Sequence, residues 1–157
     1  MAATGINHVS IHARDLDESV RFYTDLFGLE KLPTPEFGYP VQWLRLGDRQ
    51  LHLFVRDTGP PAYHHLAIDV DDFEAVFRRA EEQGLFDQQG FHRRPRLLPD
   101  GSVQMYLRDP AGNLVEVDWP DASTLDPARF GDLEKVPGPP EASLYAQRAV
   151  PVPPARK

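Results

Sequence analysis

Two histidines and a glutamate occupy positions from which they can ligate one divalent metal ion. His8 and His65 each begin a short alternating segment rich in β-branched residues, and Glu116 stands between Val115 and Val117 in another such segment. An unpaired carboxylate buried between apolar side chains is costly, and a bound cation offsets that cost. Two histidines and one carboxylate also leave open coordination positions on the ion. These residues predict a metal centre with room for a substrate.

The absence of cysteine confines the search for ligands to nitrogen and oxygen donors. The 157-residue chain has no Cys, which excludes disulfides, thiolate nucleophiles and Cys-ligated zinc. His52 lies between Leu51 and Leu53, in the same setting as Glu116, and is therefore a candidate fourth ligand. Two alternatives stay open at this point. A strand histidine can be satisfied by a hydrogen bond alone, and Glu116 can face solvent on an edge strand.

An internal repeat relates the two halves of the chain. The segment His8-Val-Ser-Ile aligns at a constant offset with His65-Leu-Ala-Ile, and an acidic residue follows each copy at the same distance. Each copy predicts a strand, an amphipathic helix that ends at a glycine, and three further strands. We therefore predict an α+β fold of two βαβββ modules, at about residues 4–56 and 63–120, with a curved mixed sheet around a cavity.

Acidic residues and prolines mark the predicted boundaries. Asp15 and Asp71, each followed three residues later by Glu, are predicted to cap the two helices. Seven of the 16 prolines fall after residue 126, where the apolar periodicity fades. We expect one packed domain at residues 4–120 and a proline-bearing C-terminal arm at residues 121–157. The arm packs on the domain or on a partner subunit, or it is a disordered tail.

The alternation of side chains along a strand decides which residues share a face with the predicted ligands. His8, Ser10 and His12 share one face of the first strand. Trp43 and Arg45, which are two residues apart on a later strand, likewise share one face of that strand. We therefore expect Ser10, His12, Trp43 and Arg45 to line a substrate pocket beside the metal ion.

Charge and hydropathy exclude several classes of partner. The chain has 17 Lys plus Arg against 24 Asp plus Glu, a formal net charge of -7. This balance argues against nucleic acid and anionic membranes, since both require a basic surface. No segment approaches the roughly 18 apolar residues of a transmembrane span, and the first residues do not resemble a secretory signal. We expect a cytoplasmic protein whose partner is a small-molecule substrate.

Four segments resemble the vicinal oxygen chelate superfamily, which includes glyoxalases, methylmalonyl-CoA epimerase, bleomycin-resistance proteins, fosfomycin-resistance transferases and extradiol dioxygenases. They occur in the family's order, and they are Ile6-Asn-His-Val-Ser-Ile, Arg21-Phe-Tyr-Thr-Asp-Leu-Phe-Gly-Leu, His64-His-Leu-Ala-Ile-Asp-Val-Asp-Asp and Tyr106-Leu-Arg-Asp-Pro-Ala-Gly-Asn-Leu-Val-Glu. The resemblance implies the family's two-module fold. It also implies that His8, His65 and Glu116 are metal ligands, and that His52 stands where glyoxalase-like members often place a fourth.

The resemblance implies a metal-dependent enzyme that acts on a small substrate with vicinal oxygens, by glyoxalase-like lyase or isomerase chemistry. The metal would be Zn, Ni, Mn, Co or Fe(II). Glu116, His52 and Tyr106 are the expected catalytic residues, with a core aromatic as the alternative for Tyr106. Two other functions stay open: an Fe(II) extradiol-type ring-cleaving dioxygenase, and a non-catalytic binding protein similar to the bleomycin-resistance proteins.

Two departures from the family narrow these possibilities. His12 stands where glyoxalase I has a basic residue for a glutathione carboxylate, which weakens a glutathione substrate. The segment after Glu116 lacks the arginine that holds the phosphonate in fosfomycin transferases, which argues against that activity.

The resemblance further implies a homodimer, because similar two-module proteins share their sites across two chains. A twofold dimer is also the commonest assembly.

Overall fold

The chain folds as two units in a computed structural model that describes residues 5–56, 58–89 and 94–145. Unit one runs through His64 and also takes in Arg108–Asn113. Unit two comprises His65–Leu107 and the chain from Leu114 onward. The four predicted metal ligands are divided between them, because His8 and His52 belong to unit one.

Unit one is a four-stranded mixed sheet with one helix. Its elements are β1 (His8–Ala13), α1 (Leu16–Phe27), β2 (Glu30–Leu32), β3 (Val41–Leu46) and β4 (Arg49–Val55). The strand order is β1-β4-β3-β2, in which β1 and β4 are parallel and the other pairs are antiparallel. Leu51 and Leu53 are fully buried, whereas His52 between them is half-buried. One face of the sheet therefore belongs to the core, and the other presents polar and aromatic side chains.

Unit two is a five-stranded mixed sheet with two helices and a 3₁₀ turn. Its elements are β5 (His65–Asp69), α2 (Phe73–Gln83), β6 (Arg96–Leu97), β7 (Val103–Arg108), β8 (Leu114–Trp119), the turn Ala122–Thr124, α3 (Pro127–Phe130) and β9 (Glu134–Lys135). The strand order is β5-β8-β7-β6-β9. The predicted α+β class, with mixed sheets and few helices, is confirmed. No helix of the described residues is long and apolar enough to cross a membrane.

The helix caps show how closely acidic residues mark a helix start. Asp15 caps α1 as predicted, since its Oδ1 accepts the Glu18 N–H at 2.8 Å. The predicted cap of α2, Asp71, is wrong by one residue: Asp72 is the cap and accepts the Ala75 N–H at 2.9 Å. A capping carboxylate bonds an N–H of the first turn. The start of α2 at the buried Phe73 therefore selects Asp72.

The segment after β8 packs on unit two. The Phe130 ring lies 5.9 Å from the Phe73 ring and 5.1 Å from the Phe77 ring, measured between centroids. Strand β9 pairs in parallel with β6, and Arg96 forms an ion pair with Glu134 across them. The predicted C-terminal arm therefore contributes a core ring, Phe130, and an edge strand, β9, to unit two. Residues 146–157 of the arm lie outside the described part of the chain.

Removing the Phe130 ring should destabilise the protein. Because Phe130 is only 6% exposed among other rings, we expect Phe130→Ala to lower the free energy of unfolding by about 3 kcal/mol. Urea denaturation followed by circular dichroism measures this difference. Leu144→Ala is the control, because Leu144 lies in the same segment and is 48% exposed. Equal losses in the two variants would show that Phe130 does not act through its buried contacts.

A buried carboxylate organises residues 109–113 within unit one. Oδ1 of Asp109 accepts the backbone N–H groups of Ala111 and Asn113 at 3.0 and 2.8 Å. Its Oδ2 accepts the Tyr23 hydroxyl at 2.9 Å and the Asn113 side-chain amide at 2.7 Å. Burial raises the pKa of Asp109, although these hydrogen bonds oppose the shift, and burial followed by the charge of Asp109 raises the pKa of Tyr23. One carboxylate therefore satisfies four donors in the core.

Candidate metal centre

Two of the predicted metal ligands, His65 and Glu116, form a close pair in unit two. The Nε2 of His65 is 2.8 Å from the Oε2 of Glu116. Ala67 lies opposite Glu116 in the parallel pairing of β5 and β8, and His65 shares the face of Ala67. Two donor atoms bound to one tetrahedral ion at about 2.1 Å stand about 3.4 Å apart. The pair is closer than that and lies at hydrogen-bond distance, so its role as two ligands of one ion stays a prediction.

Glu116 is a buried carboxylate with two satisfied contacts. Its side chain is 6% exposed, whereas that of His65 is 34% exposed. The Tyr106 hydroxyl donates a hydrogen bond to Glu116, and the Tyr106 ring packs edge-on against His65 at a centroid distance of 5.7 Å. These partners account for the burial of the charge. The solvent-exposed alternative for Glu116 is wrong, because β8 is buried along its whole length.

Tyr106 contacts both members of this pair. Burial, and then the negative charge of Glu116, raise the pKa of Tyr106 well above its usual range. Asp118 adds to this shift, and Arg96 opposes it. Tyr106 therefore stays protonated and acts as a hydrogen-bond donor. Tyr106 is 6% exposed and contacts two predicted ligands, and its catalytic role stays a prediction.

The other two predicted ligands, His8 and His52, stack on each other in unit one. Their ring centroids are 4.2 Å apart with an interplanar angle of 14°. The other face of His52 stacks on Trp43 at 4.4 Å and 8°. Trp43 lies opposite His52 on one neighbouring strand, and Ser10 lies opposite it on the other. The register sets Ser10, His52 and Trp43 side by side on one face of the sheet, and ring stacking adds His8 to this row.

Two amide side chains orient these imidazoles. The Nδ1 of His8 is 3.0 Å from the Asn7 Oδ1, and the Nε2 of His52 is 2.8 Å from the Gln50 Oε1. Ligating histidines commonly donate one ring N–H to such an oxygen and bind the metal through the other nitrogen. That arrangement would leave Nε2 of His8 and Nδ1 of His52 for the predicted ligation of a cation. Burial, and then the charge of His8, lower the pKa of His52, which favours its neutral form.

Asn7 and Gln50 are absent from the sequence-based site, although the sequence carries a signal for each. Asn7 directly precedes the predicted ligand His8. Gln50 stands two residues before His52, and residues two apart on a strand share a face. An amide at either position is therefore placed to support the neighbouring imidazole.

The four residues predicted to line a substrate pocket have different surroundings. Ser10 and Trp43 lie beside His52. Arg45 instead forms an ion pair with Glu30 at 3.3 Å, and its side chain is 57% exposed. His12, at the far end of β1, lines a different cavity in unit one. The structure therefore brings two of the four to the histidine pair, and the pocket role of all four stays a prediction.

The predicted donor set suits a divalent ion, although no complete cluster is present in the described residues. No group of three or more His, Asp or Glu there is arranged to hold a metal ion. Imidazole and carboxylate are nevertheless the donors that Zn²⁺, Mn²⁺, Ni²⁺ and Fe²⁺ accept. The pair in unit two and the histidine pair in unit one each supply donors of this kind. Ligation by the complete set stays a prediction.

Known proteins resemble this chain over the region that contains all four predicted ligands. Residues 5–117 match the family model described as Glyoxalase/Bleomycin resistance protein/Dioxygenase superfamily. The chain is 26% identical over 133 residues to mitochondrial methylmalonyl-CoA epimerase of Mus musculus, covering 72% of this chain and 71% of that protein. It is 29% identical over 124 residues to lactoylglutathione lyase of Haemophilus influenzae, covering 71% of this chain and 89% of that protein.

A solved structure agrees with these relatives. The crystal structure of lactoylglutathione lyase from Agrobacterium tumefaciens has a TM-score of 0.55 and 30% identity, covering 74% of this chain and 94% of that one. The chain therefore belongs to the glyoxalase/bleomycin resistance protein/dioxygenase superfamily, as its motifs predict. The three relatives carry the names of enzymes, an epimerase and two lyases.

Proposed function

We propose that this protein is a divalent-metal-dependent enzyme that acts on a small substrate with vicinal oxygens, by glyoxalase-like lyase or isomerase chemistry. The contact that carries the proposal is the 2.8 Å approach of His65 Nε2 to the buried Oε2 of Glu116. In the proposed site His8, His65 and Glu116 ligate the ion, and His52 provides a fourth donor. Zn, Ni, Mn, Co and Fe(II) all accept this set.

The residues around the ion have separable roles in this proposal. The metal supplies Lewis acidity to the substrate oxygens when it is bound. Since Nε2 of His52 donates to Gln50, its Nδ1 carries the lone pair that ligates the ion or accepts a substrate proton. The protonated Tyr106 hydroxyl holds the Glu116 carboxylate, whose Oε2 lies 2.8 Å from His65 Nε2. Glu116 can then serve as a ligand or as a base for a proton next to a carbonyl.

The Tyr106 hydroxyl should affect turnover even when the metal site is full. In Tyr106→Phe, Glu116 loses the donor that orients it but keeps its contact with His65. We expect kcat/KM of the metal-saturated protein to fall by about tenfold to a hundredfold, and metal content after dialysis to fall as well, because Tyr106 is an outer-shell contact to a proposed ligand. Kinetic assays and elemental analysis of the same preparations measure both quantities. Tyr63→Phe is the control, because Tyr63 is 67% exposed, and an equal fall in that variant would remove Tyr106 from the proposed machinery.

Metal analysis followed by a substrate screen tests the proposal. The protein is purified anaerobically without an affinity tag, and its metals are quantified before assays with methylglyoxal-thiol adducts and with catechols. We expect one equivalent of metal and turnover of an adduct. Ring cleavage of a catechol with bound Fe(II) would replace the lyase assignment by the dioxygenase alternative. The absence of both metal and turnover would contradict the proposal.

The stacked rings of unit one favour a second candidate function, which is non-catalytic binding of a planar small molecule. Phe37 extends the row from Trp43 at a centroid distance of 5.9 Å and is 45% exposed. Exposed aromatic faces suit a flat ligand, because they offer stacking area. Micromolar binding of planar ligands to the metal-free protein, measured by isothermal titration calorimetry and abolished in Trp43→Ala, would favour this function over the enzyme.

We further propose that the protein is a cytoplasmic homodimer. Most soluble oligomers are twofold symmetric, and the family resemblance implies that sites are shared between chains. Light scattering on eluted protein should give twice the 17.8 kDa of one chain. A mass of one chain across the concentration range would contradict this proposal.

A further inference from the structure

A cavity of about 680 Å³ lies in unit two, where α2, α3 and strand β9 meet. Its apolar lining includes the rings of Phe77, Phe86 and Phe130. The centroid of the Phe77 ring lies 5.4 Å from that of Phe86 and 5.1 Å from that of Phe130. Phe130 is buried, whereas Phe77 and Phe86 are half-buried and keep part of their surface exposed. We call this cavity the phenyl recess, and its volume is typical of a small-molecule site.

The phenyl recess lies on the opposite face of the five-stranded sheet from Glu116. Trp119 and Glu116 are three residues apart on β8, so their side chains point to opposite faces. The Trp119 ring lies 6.4 Å from the Phe73 ring of α2, measured between centroids. Phe77 follows Phe73 by four residues and shares its side of the helix. A ligand in the phenyl recess is therefore separate from the predicted metal ion.

Four charged side chains, two of each sign, line the same cavity. They are Glu81, Asp132, Arg94 and Arg129. All four residues are exposed, and none of their side chains forms an ion pair or a hydrogen bond within the described residues. Glu134 also lines the cavity, but its carboxylate pairs with Arg96. The phenyl recess therefore offers two carboxylates and two guanidinium groups beside an aromatic wall.

The sequence places charge next to the rings on both helices. Glu81 follows Phe77 by four residues in α2, and residues at this spacing share a helix face. Arg129 directly precedes Phe130 in α3. A ligand with one charge would be attracted by one pair of these side chains and repelled by the other. A ligand with both charges can be attracted by all four.

We propose that the phenyl recess binds a small aromatic zwitterion, with the chemistry of an aromatic α-amino acid. An aromatic ring packs favourably against other rings in stacked or edge-on arrangements. Guanidinium groups bind a carboxylate through paired N–H donors. Carboxylates, together with the faces of the rings, attract an ammonium group. The three parts of the ligand therefore match the three kinds of group in the lining.

Titrations of the full chain with four probes, followed by protein NMR, test the proposal. The probes are L-phenylalanine, 3-phenylpropionate without the ammonium group, 2-phenylethylamine without the carboxylate, and L-leucine without the ring. We expect saturable shifts with L-phenylalanine. Each of the other probes should bind about fivefold more weakly, which is the scale of one exposed ion pair or one aromatic pair.

Two double variants assign the charged contacts. Glu81→Gln combined with Asp132→Asn should weaken L-phenylalanine and 2-phenylethylamine about fivefold and should not weaken 3-phenylpropionate. Arg94→Gln combined with Arg129→Gln should weaken L-phenylalanine and 3-phenylpropionate and should not weaken 2-phenylethylamine. Circular dichroism confirms that each variant is folded.

Matched controls change the net charge by the same amount at exposed positions outside the lining. They are Glu82→Gln combined with Glu141→Gln, and Arg78→Gln combined with Arg79→Gln. Absence of saturable shifts with L-phenylalanine, equal affinity for all four probes, or equal affinities in the recess and control variants would overturn the proposal. The comparison of probes on the wild type needs neither a variant nor bound metal, so its result is independent of the proposed enzyme.

Discussion

Replacing His65 with alanine is expected to weaken metal binding by more than about a hundredfold, since the loss of an outer-shell contact to a ligand already costs 10–100-fold. His65 presents Nε2 to the buried carboxylate of Glu116 at 2.8 Å. Its removal would leave that carboxylate with the Tyr106 hydroxyl as its neighbour and take one nitrogen donor from the ion. Competition with a chromophoric chelator, followed by elemental analysis, measures the change in affinity.

His64→Ala is the matched control for this experiment. His64 adjoins His65 in the chain, is exposed, and lies just outside β5. Its replacement removes the same side chain and should leave the metal affinity unchanged. Glu116→Gln is the companion variant, because it keeps the size of the side chain and removes its charge. Full metal retention in His65→Ala would exclude His65 as a ligand. An equal loss of metal in His64→Ala would show that the loss does not come from the His65 imidazole.

Replacing Asp109 with alanine is expected to lower the free energy of unfolding by about 3 kcal/mol or more, since each buried donor left unsatisfied costs about 1–3 kcal/mol. The carboxylate accepts two backbone N–H groups, the Tyr23 hydroxyl and the Asn113 amide. The Asn113 amide also bonds the His12 carbonyl. Three donors therefore lose their partner entirely. Urea denaturation at neutral pH, analysed with a common slope, measures the difference.

Two further variants provide smaller expected losses of stability with which Asp109→Ala is compared. Tyr23→Phe removes one of the four donors and should cost about 1 kcal/mol. Asp48→Ala removes a carboxylate that is 82% exposed and ion-paired with Arg49, and should cost less than about 1 kcal/mol. If Asp109→Ala is no less stable than Asp48→Ala, the hydrogen bonds of Asp109 do not stabilise the fold.

The sequence predicted the elements of the fold well because they rest on local periodicity. Alternating residues set the faces of β1 and β5, and capping residues place the helix starts to within one position. The choice between Asp71 and Asp72 depended on the burial of Phe73, which is a tertiary property. Strand β9 escaped prediction for a related reason: two charged residues have no periodicity, and they form a strand only because β6 offers a free edge.

For the candidate site, the sequence by itself determined which residue types can ligate a metal and, through the repeat and strand parity, which of them share a face. Only the tertiary structure decided that His65 meets Glu116, that Trp43 stacks on His52, and that three phenylalanine rings line the phenyl recess. The reason is physical. Parity is a property of one strand, whereas these contacts join side chains from separate segments and depend on strand order, register and packing.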